Sequence, residues 1–405
     1  MARYRDAAQS FLDGGRRRLG ARGTLVDAVA ETSRSLIDAF EARFRTTPDL
    51  FRAPGRVNLI GEHTDYNLGY VLPIAIDLAC YTASAPNREG ILRVFSTNLD
   101  QSRQWLVDQI PGLRPAHDWS DYVIGVARQM TLTRGRDIMI ESTVPVGSGL
   151  SSSAALEVSS ALALGWDKTL PSLDLAKLCR RAENDFVGLP SGIMDQYASI
   201  FGRFGTALKI DCRSLESEHV DLPPTVGWVA VNSMVKHELG QSAYRQRVAE
   251  CGEAVEAIRA TYPEIQSLRD ATLDQLQLVT DPVVRRRARH VISENERVLT
   301  FTAACGRGDL AAMGRLLVAS HRSLQQDYEV SCAELDFLVE TALSVPGVWG
   351  ARMTGGGFGG CTVNMVAPSA LARFQEELHR SYRERFGVDP VFYRVQPSGG
   401  ADRIS

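Results

Sequence analysis

The sequence lacks the features that define several large classes of protein. It contains no apolar run near the roughly 20 residues that a membrane-spanning helix requires, and no apolar stretch typical of a secretory signal near its amino terminus. Its seven cysteines are scattered and never stand at the CxxC spacing, so neither a zinc site nor a disulfide framework is indicated. A formal net charge of -3 gives no broad positive field for a nucleic-acid backbone. We therefore expect a cytoplasmic protein whose partners are small molecules, with no nucleic acid and no membrane.

The length predicts two domains. A chain of 405 residues exceeds the usual size of one hydrophobic core. Its composition, with 44% hydrophobic and 23% charged residues, is that of an ordinary globular protein. After Pro223 and Pro224 the apolar pattern restarts with a predicted strand at residues 227–232. We therefore place one domain at residues 1–222 and the second at residues 223–405, with a cleft between them.

A loop rich in glycine and serine joins a predicted strand, residues 138–143, to a predicted helix, residues 154–164. At such a junction the free backbone amides and the positive helix terminus favour an anion. The three adjacent serines, residues 151–153, exceed what one helix cap needs, although a serine-capped helix without a ligand is the alternative. The pattern GxxxxGK[ST] occurs nowhere in the chain, which disfavours a P-loop nucleotidase. The loop is thus predicted to bind phosphate.

A second glycine-rich segment, residues 354–360, contains a formal GxGxxG match. The dinucleotide fingerprint must open a helix, whereas here the strand pattern of residues 361–366 follows. We predict a hairpin between two strands. It is either a simple tight turn or a place where the backbone closely approaches a ligand or the other domain.

Two further segments carry polar side chains suited to chemistry. Arg56, Glu62, His63 and Asp65 surround a short apolar strand and a turn, which suits either a sugar with several hydroxyls or a merely solvated turn. Asp195 stands in the first turn of a predicted helix, where the helix dipole favours the carboxylate. It is a candidate base or electrostatic anchor, and an ordinary helix-terminal aspartate is the alternative.

Glu183 is predicted near the carboxyl end of the preceding helix, residues 173–186. The helix dipole disfavours an acid at that end unless a cation compensates its charge. Magnesium is a candidate for that cation.

Together these segments resemble the galactokinases of the GHMP small-molecule kinase superfamily. GRVNLIGEHTDYN, residues 55–67, is similar to the family signature, PVGSGLSSSAA, residues 145–155, to its ATP loop, and TGGGFGG, residues 354–360, to its third motif. The resemblance runs from about residue 33 to the carboxyl terminus and leaves out the arginine-rich start of the chain.

The resemblance implies an α+β, two-lobed fold, with a ribosomal-protein-S5-like amino-terminal domain and a ferredoxin-like carboxyl-terminal domain. It implies ATP-dependent phosphorylation of the anomeric (C1) hydroxyl of D-galactose, the first committed step of galactose catabolism, with Mg2+ as cofactor and a monomeric enzyme. The implied site consists of catalytic Arg56 and Asp195; galactose-binding Glu62, His63, Asp65, Gly192 and Tyr244; ATP-binding Gly147, Ser148, Gly149, Leu150, Ser151, Ser152, Ser153 and Ala154; and magnesium-binding Ser152, Ser153 and Glu183.

Two rival functions are compatible with the same motifs. The first is a related kinase that acts on N-acetylgalactosamine, arabinose or a non-sugar alcohol, although Glu62, His63 and Asp65 favour a sugar. The second is a non-catalytic regulator that binds galactose and ATP. Such relatives can lose residues of the serine loop, whereas here Ser153 and Ala154 are both present.

Overall fold

The computed structural model describes residues 25–236 and 240–404, so the arginine-rich start of the chain lies outside the described residues. Within them the helices are α1 (Leu25–Phe44), α2 (Ser120–Gln129), α3 (Ser152–Ala163), α4 (Ser172–Arg181), α5 (Met194–Phe201), α6 (Gly240–Arg259), α7 (Pro282–Arg307), α8 (Leu310–Gln326), α9 (Ala333–Ser344) and α10 (Leu371–Phe386). The strands are β1 (Asp49–Asn58), β2 (Tyr70–Val71), β3 (Pro73–Pro86), β4 (Ile91–Ser96), β5 (Gln101–Leu106), β6 (Arg136–Ser142), β7 (Thr206–Asp211), β8 (Ser217–Asp221), β9 (Gly227–Lys236), β10 (Val348–Thr354), β11 (Gly359–Val366), β12 (Val391–Val395) and β13 (Asp402–Arg403).

The amino-terminal part is built on a six-stranded sheet of order β13-β1-β3-β6-β4-β5, in which only the β4–β6 pair is parallel. Its central strand β3 is buried on both faces. Because side chains alternate along a strand, Ala79, Tyr81 and Ala83 pack against α1, whereas Thr82 on the opposite face hydrogen-bonds Ser159 of α3 at 2.9 Å. This double burial explains why β3 reads as a nearly continuous apolar run.

The carboxyl-terminal part is built on a four-stranded antiparallel sheet of order β12-β9-β11-β10. The chain passes from β9 through helices to β10, turns back into β11, and reaches β12 through α10. This βαββαβ connectivity with that strand order is the expected ferredoxin-like arrangement. Apolar residues of α9 and α10, among them Leu338, Phe374 and Tyr382, bury one face of the sheet.

The end of the described chain returns to the first sheet. β13 pairs with the outer edge of β1, and the Ser398 amide donates to the Ala75 carbonyl at 2.9 Å. The buried Arg52 of β1 donates to the Ser398 hydroxyl at 3.0 Å and to the Gly399 carbonyl at 3.3 Å. The domain boundary near residue 222 stays a prediction, and residues 397–404 belong spatially to the amino-terminal part.

Most elements expected from the sequence are present, with two differences in detail. The apolar segment at residues 71–79, which predicts a single strand from the sequence, is divided at Leu72 into β2 and the longer β3. The helix expected at residues 173–186 is α-helical only to Arg181 and continues as a π-helical turn, Ala182–Val187, that carries Glu183. The glycine-rich hairpin between β10 and β11 is confirmed. Within the described residues, no helix is both long and apolar enough to cross a membrane.

Candidate active site

Arg56 and Asp195 form an ion pair at the meeting point of β1 and α5. Arg56 Nε lies 2.9 Å from Asp195 Oδ1, and Arg56 Nη2 lies 3.1 Å from Oδ2, so the contact is bidentate. Arg56 is buried, whereas the Asp195 side chain is 27% exposed. Although burial opposes it, the charges of Asp195 and Glu62 raise the pKa of Arg56 above its ordinary value. The pairing that the sequence suggested is therefore present, with the carboxylate open to a ligand.

The glycine- and serine-rich loop lies directly against this pair. Arg56 Nη1 donates to the Gly149 carbonyl at 2.5 Å, and the Arg56 amide donates to the Leu150 carbonyl at 3.1 Å. The Ser151 hydroxyl donates to Asp195 Oδ2 at 2.5 Å and makes no capping bond to α3, although Ser151 occupies the cap position. The serine-capped helix considered above is therefore not what forms. Ser151 instead joins the loop to the catalytic candidate.

The glycine hairpin packs its backbone onto the loop. A Cβ atom built at Gly355 would lie 3.3 Å from the Gly149 carbonyl oxygen, and one built at Gly360 would lie 3.3 Å from the Ser148 carbonyl oxygen. Gly147 and Gly149 have φ values of 73° and 81°, which side-chain-bearing residues rarely adopt. Of the two readings of the hairpin, close backbone approach is thus confirmed. The first amides of α3 have no partner inside the helix and point to where an anion would lie.

Two buried carboxylates lie beside the loop. Gln196 Nε2 donates to Glu183 Oε2 at 3.0 Å and to Glu157 Oε2 at 2.9 Å, and the Ser191 hydroxyl also donates to Glu183. Burial raises the pKa of both glutamates, and Glu157 Oε1 has no hydrogen-bond partner within the part of the chain that the structure describes. The hydrogen bonds to Glu157 and Glu183 thus come from neutral amide and hydroxyl groups rather than from basic side chains.

Oxygen donors of this kind suit magnesium. In proteins this ion is usually held by one or two carboxylates together with substrate phosphates rather than by a full protein cage. Accordingly, the described residues contain no cluster of three or more histidine, cysteine or acidic side chains able to hold a metal. Glu183 interacts with the hydroxyl of Ser153. Ser152, which precedes Ser153 at the start of α3, is half-buried. Two of the three residues expected at a magnesium site, Glu183 and Ser153, thus lie together.

Glu62 is held by donors from the carboxyl-terminal part. The Gly355 amide lies 2.7 Å and the Thr354 hydroxyl 3.0 Å from Glu62 Oε1, and Arg352 Nη2 lies 3.1 Å from the same oxygen. Arg352 is fully buried and also donates to the Leu59 carbonyl at 2.9 Å. All of these contacts use the same carboxylate oxygen, Oε1.

Asp65 lies against Gly192. A Cβ atom at Gly192 would be 1.8 Å from Asp65 Oδ2, so any side chain there would displace the Asp65 carboxylate. Burial, followed by the charge of Asp195, raises the pKa of Asp65 to about 6. These two candidates are thus brought together by the loop before α5.

His63 lies in an aromatic cluster. Its ring centre is 5.6 Å from that of Tyr244 and 4.8 Å from that of Tyr328, and its Nδ1 is 2.8 Å from the Tyr66 hydroxyl. Burial, with smaller contributions from His290 and Arg247, lowers the pKa of His63 to about 3. The imidazole is therefore neutral at ordinary pH.

Helix α7 anchors the turn that carries these residues. His290 Nε2 lies 3.1 Å from the Glu62 carbonyl oxygen, Glu294 accepts from the Gly61 amide at 3.0 Å, and Asn295 accepts from the Tyr70 amide at 2.8 Å. The sugar-binding candidates are therefore fixed from the second part of the chain.

Several of these supporting residues were not predicted from the sequence. Arg352 stands two residues before the glycine hairpin, and a charged residue inside an apolar strand is a signal that could have marked it. Gln196 directly follows Asp195, so its position beside a candidate catalytic residue is a second such signal. Tyr328 and Glu157 carry no local signal, because their roles depend on contacts with distant parts of the chain.

Comparison with known families gives three matches along the chain. Residues 38–86 match the model described as the galactokinase galactose-binding signature. Residues 121–203 match the GHMP kinases N terminal domain, and residues 301–384 match the GHMP kinases C terminal model.

Relatives and solved structures agree with these matches. The chain is 45% identical to galactokinase from Roseiflexus sp. (strain RS-1) over 91% of this chain and 96% of the relative. It is 43% identical to galactokinase from Homo sapiens over 92% and 97%, respectively. The structure of Lactococcus lactis galactokinase complexed with galactose superposes with a TM-score of 0.88 at 35% identity, covering 92% of this chain and 100% of that one. Methanococcus jannaschii mevalonate kinase, with a TM-score of 0.62 at 18% identity over 88% of this chain and 100% of that one, shares the fold.

Proposed function

Since the chain belongs to the galactokinase family of GHMP kinases, we propose that it transfers the γ-phosphoryl group of ATP to the C1 hydroxyl of D-galactose at the Arg56–Asp195 pair. The observation that carries this proposal is the Asp195 carboxylate, which contacts Arg56 and the phosphate loop while staying partly open. This carboxylate therefore lies where a nucleotide phosphate at the loop and a sugar hydroxyl would meet.

The phosphate loop, residues 147–154, binds the triphosphate of ATP. Its backbone turns at Gly147 and Gly149 and leads into the free amides of α3, which are suited to negatively charged oxygens. Glu183, Ser152 and Ser153 would hold Mg2+, which neutralises charge on the β- and γ-phosphates when bound. Chelation with EDTA should abolish turnover, and added MgCl2 should restore it; activity that persists after chelation would contradict the magnesium assignment.

Asp195 handles the proton of the attacking hydroxyl. A carboxylate offers about four acceptor positions, and the two Arg56 bonds and the Ser151 bond use three of them. The remaining position accepts the C1 hydroxyl of galactose. As the C1 oxygen bonds to the γ-phosphorus and the bond from that phosphorus to ADP breaks, the carboxylate receives or orients the hydroxyl proton. Arg56 stabilises the charge on the transferring group.

The galactose hydroxyls meet a set of fixed polar groups. Glu62 Oε2 and the Asp65 carboxylate accept hydrogen bonds, while His63 and Tyr244 line the same region. Gly192 leaves the space that Asp65 occupies. Because buried donors hold Glu62 in place, its carboxylate cannot move to bind a sugar whose hydroxyl groups point in other directions. The site therefore favours a sugar of one stereochemistry.

A coupled ADP-release assay with galactose, glucose, N-acetylgalactosamine and arabinose tests the proposal directly. We expect galactose to give the highest kcat/KM and the product to be galactose 1-phosphate, identified by phosphorus NMR. Turnover with another sugar but not with galactose would refute it, as would ATP hydrolysis without sugar phosphate. We also propose a monomer in the cytoplasm, and light scattering of the purified protein tests the oligomeric state.

A further inference from the structure

Four side chains form a closed hydrogen-bonded ring with His63, and the proposed chemistry does not use them. His63 Nδ1 lies 2.8 Å from the Tyr66 hydroxyl, which lies 2.7 Å from the Tyr328 hydroxyl. The Tyr328 hydroxyl lies 3.1 Å from Cys251 Sγ. Asn67 Nδ2 closes the ring, because it donates to Cys251 Sγ at 3.6 Å and to the His63 carbonyl at 2.9 Å.

The ring spans both parts of the molecule. Tyr66 and Asn67 belong to the signature turn, whereas Cys251 lies in α6 and Tyr328 follows α8. Tyr328, Cys251 and Asn67 are all at least 95% buried. No solvent therefore competes at that end of the ring, and each donor there must find its acceptor within the protein.

Chemistry gives the ring one favoured direction. The Asn67 amide nitrogen can only donate, so it fixes Cys251 Sγ as an acceptor. The Cys251 thiol then donates to Tyr328, Tyr328 to Tyr66, and Tyr66 to His63 Nδ1. In the reverse direction no atom of the ring would accept the Cys251 thiol hydrogen, and the basic imidazole nitrogen would donate to a phenol that is the better donor.

This direction decides which ring nitrogen of His63 carries the proton. If Nδ1 accepts from Tyr66, a neutral imidazole must carry its hydrogen on Nε2. His63 Nε2 is buried and has no partner of hydrogen-bonding geometry among the described residues, although the Gly356 backbone lies near enough to affect the ring. Within the described residues, the Nε2–H group is thus a donor without a protein acceptor in hydrogen-bonding geometry.

We propose that the ring of Asn67, Cys251, Tyr328 and Tyr66 positions His63 as its Nε2–H tautomer, so that His63 donates a hydrogen bond to a hydroxyl oxygen of galactose. The inference rests on the proposed function. Glu62 and Asp65 offer only acceptors when ionised, whereas every sugar hydroxyl also has an oxygen that needs a donor. His63 supplies that donor, and the four other residues are positioning residues that act through it.

The tautomer can be read without any turnover. Two-bond proton–nitrogen NMR of histidine-labelled protein resolves the ring nitrogens, and the His63 signals are those lost in His63→Gln. We expect Nδ1 to be unprotonated and Nε2 protonated in the sugar-free protein. In Tyr66→Phe this preference should weaken or reverse, because the donor to Nδ1 is gone. A proton on Nδ1 in the wild type, or an unchanged spectrum in Tyr66→Phe, would overturn the inference.

Steady-state kinetics test whether the ring contributes to galactose binding. Tyr66→Phe and Tyr328→Phe should each raise the KM for galactose about tenfold, as expected for one lost hydrogen bond, with the KM for ATP within twofold. Cys251→Ser keeps a donor and should retain the KM better than Cys251→Ala. Tyr382→Phe is the matched control, since this buried tyrosine of α10 donates to the Ser233 carbonyl of β9 at 2.8 Å and is not part of the ring.

The outcomes separate this inference from the proposed function. If the tautomer changes in Tyr66→Phe while the KM for galactose stays at the wild-type value, the ring has no role in sugar binding and the inference falls. If the wild-type protein phosphorylates no galactose at all, the proposed function fails. In that case the NMR result still decides the tautomer, and the donor role toward galactose is refuted.

Discussion

Replacing Asp195 by asparagine should nearly abolish turnover while leaving the fold intact. The amide has almost the same shape as the carboxylate, but its NH2 group would face the Arg56 guanidinium or the Ser151 hydroxyl, both of which now donate to Asp195. The site would also lose the group that receives or orients the C1 proton. General-base catalysis typically contributes a factor of about 10²–10⁴ to the rate, so we expect kcat to fall by a factor of at least about 10².

The same substitution should cost some stability. Arg56 is buried, and breaking a buried pair costs about 3–5 kcal/mol. Because Asp195 is 27% exposed, water can compensate part of the loss, and we expect about 1–3 kcal/mol. Chemical unfolding measures this cost, and a coupled ADP-release assay at saturating galactose and ATP measures kcat.

Asp137→Asn is the matched control for this experiment. Asp137 also binds an arginine in bidentate fashion, with Arg93 Nε at 2.6 Å and Nη2 at 3.2 Å, but this pair lies on β6 and β4 away from the phosphate loop. We expect the control to lose stability by a comparable amount and to keep wild-type kcat. If Asp195→Asn lost stability but kept kcat within tenfold of the wild type, Asp195 would be only structural and the reasoning would be refuted.

Three further substitutions test the sugar side of the site. Glu62→Gln should raise the KM for galactose at least tenfold and leave the KM for ATP unchanged, because it breaks the pair with the buried Arg352; an effect on ATP alone would contradict the assignment. Gly192→Ala should raise the same KM by a similar factor because its Cβ would collide with Asp65, whereas Gly252→Ala, with open space around it, should change nothing. Asp65→Asn should increase the free energy of unfolding at pH 7, since the raised pKa of about 6 means that the folded wild type loses stability as pH rises from about 4 to 6. This gain should vanish near pH 4 in urea unfolding, and a gain that persisted there would argue against the raised pKa.

The sequence predicted the parts of the site that are encoded locally. Glycines in the loop at residues 147–149 and in the hairpin at residues 354–360 each impose a backbone conformation that their neighbours cannot override. A nearly continuous apolar run likewise marks β3. By contrast, β5 and β8 consist mostly of polar, solvent-facing residues, so their pairing depends on neighbouring strands rather than on their own pattern.

The supporting contacts could not be predicted because they join residues far apart in the chain. Glu62 and Gly355 are 293 positions apart in sequence, and Arg352 lies just before Gly355. Only the folded protein brings Glu62 into contact with both of them. Ser151 illustrates a subtler failure. Its place before α3 predicts a cap, but its left-handed backbone directs the hydroxyl to Asp195 instead.

The return of the last residues to β1 has a consequence for how the protein is made. Arg52 and its acceptor Gly399 are 347 positions apart, so at roughly 5–20 residues per second a ribosome needs roughly 20–70 s between them. During that interval the outer edge of β1 is an unpaired strand and Arg52 has no acceptor from the tail. The nascent chain therefore presents the unpaired outer edge of β1 until residues 397–404 have been synthesised, and that edge can pair with a strand of another chain during this time.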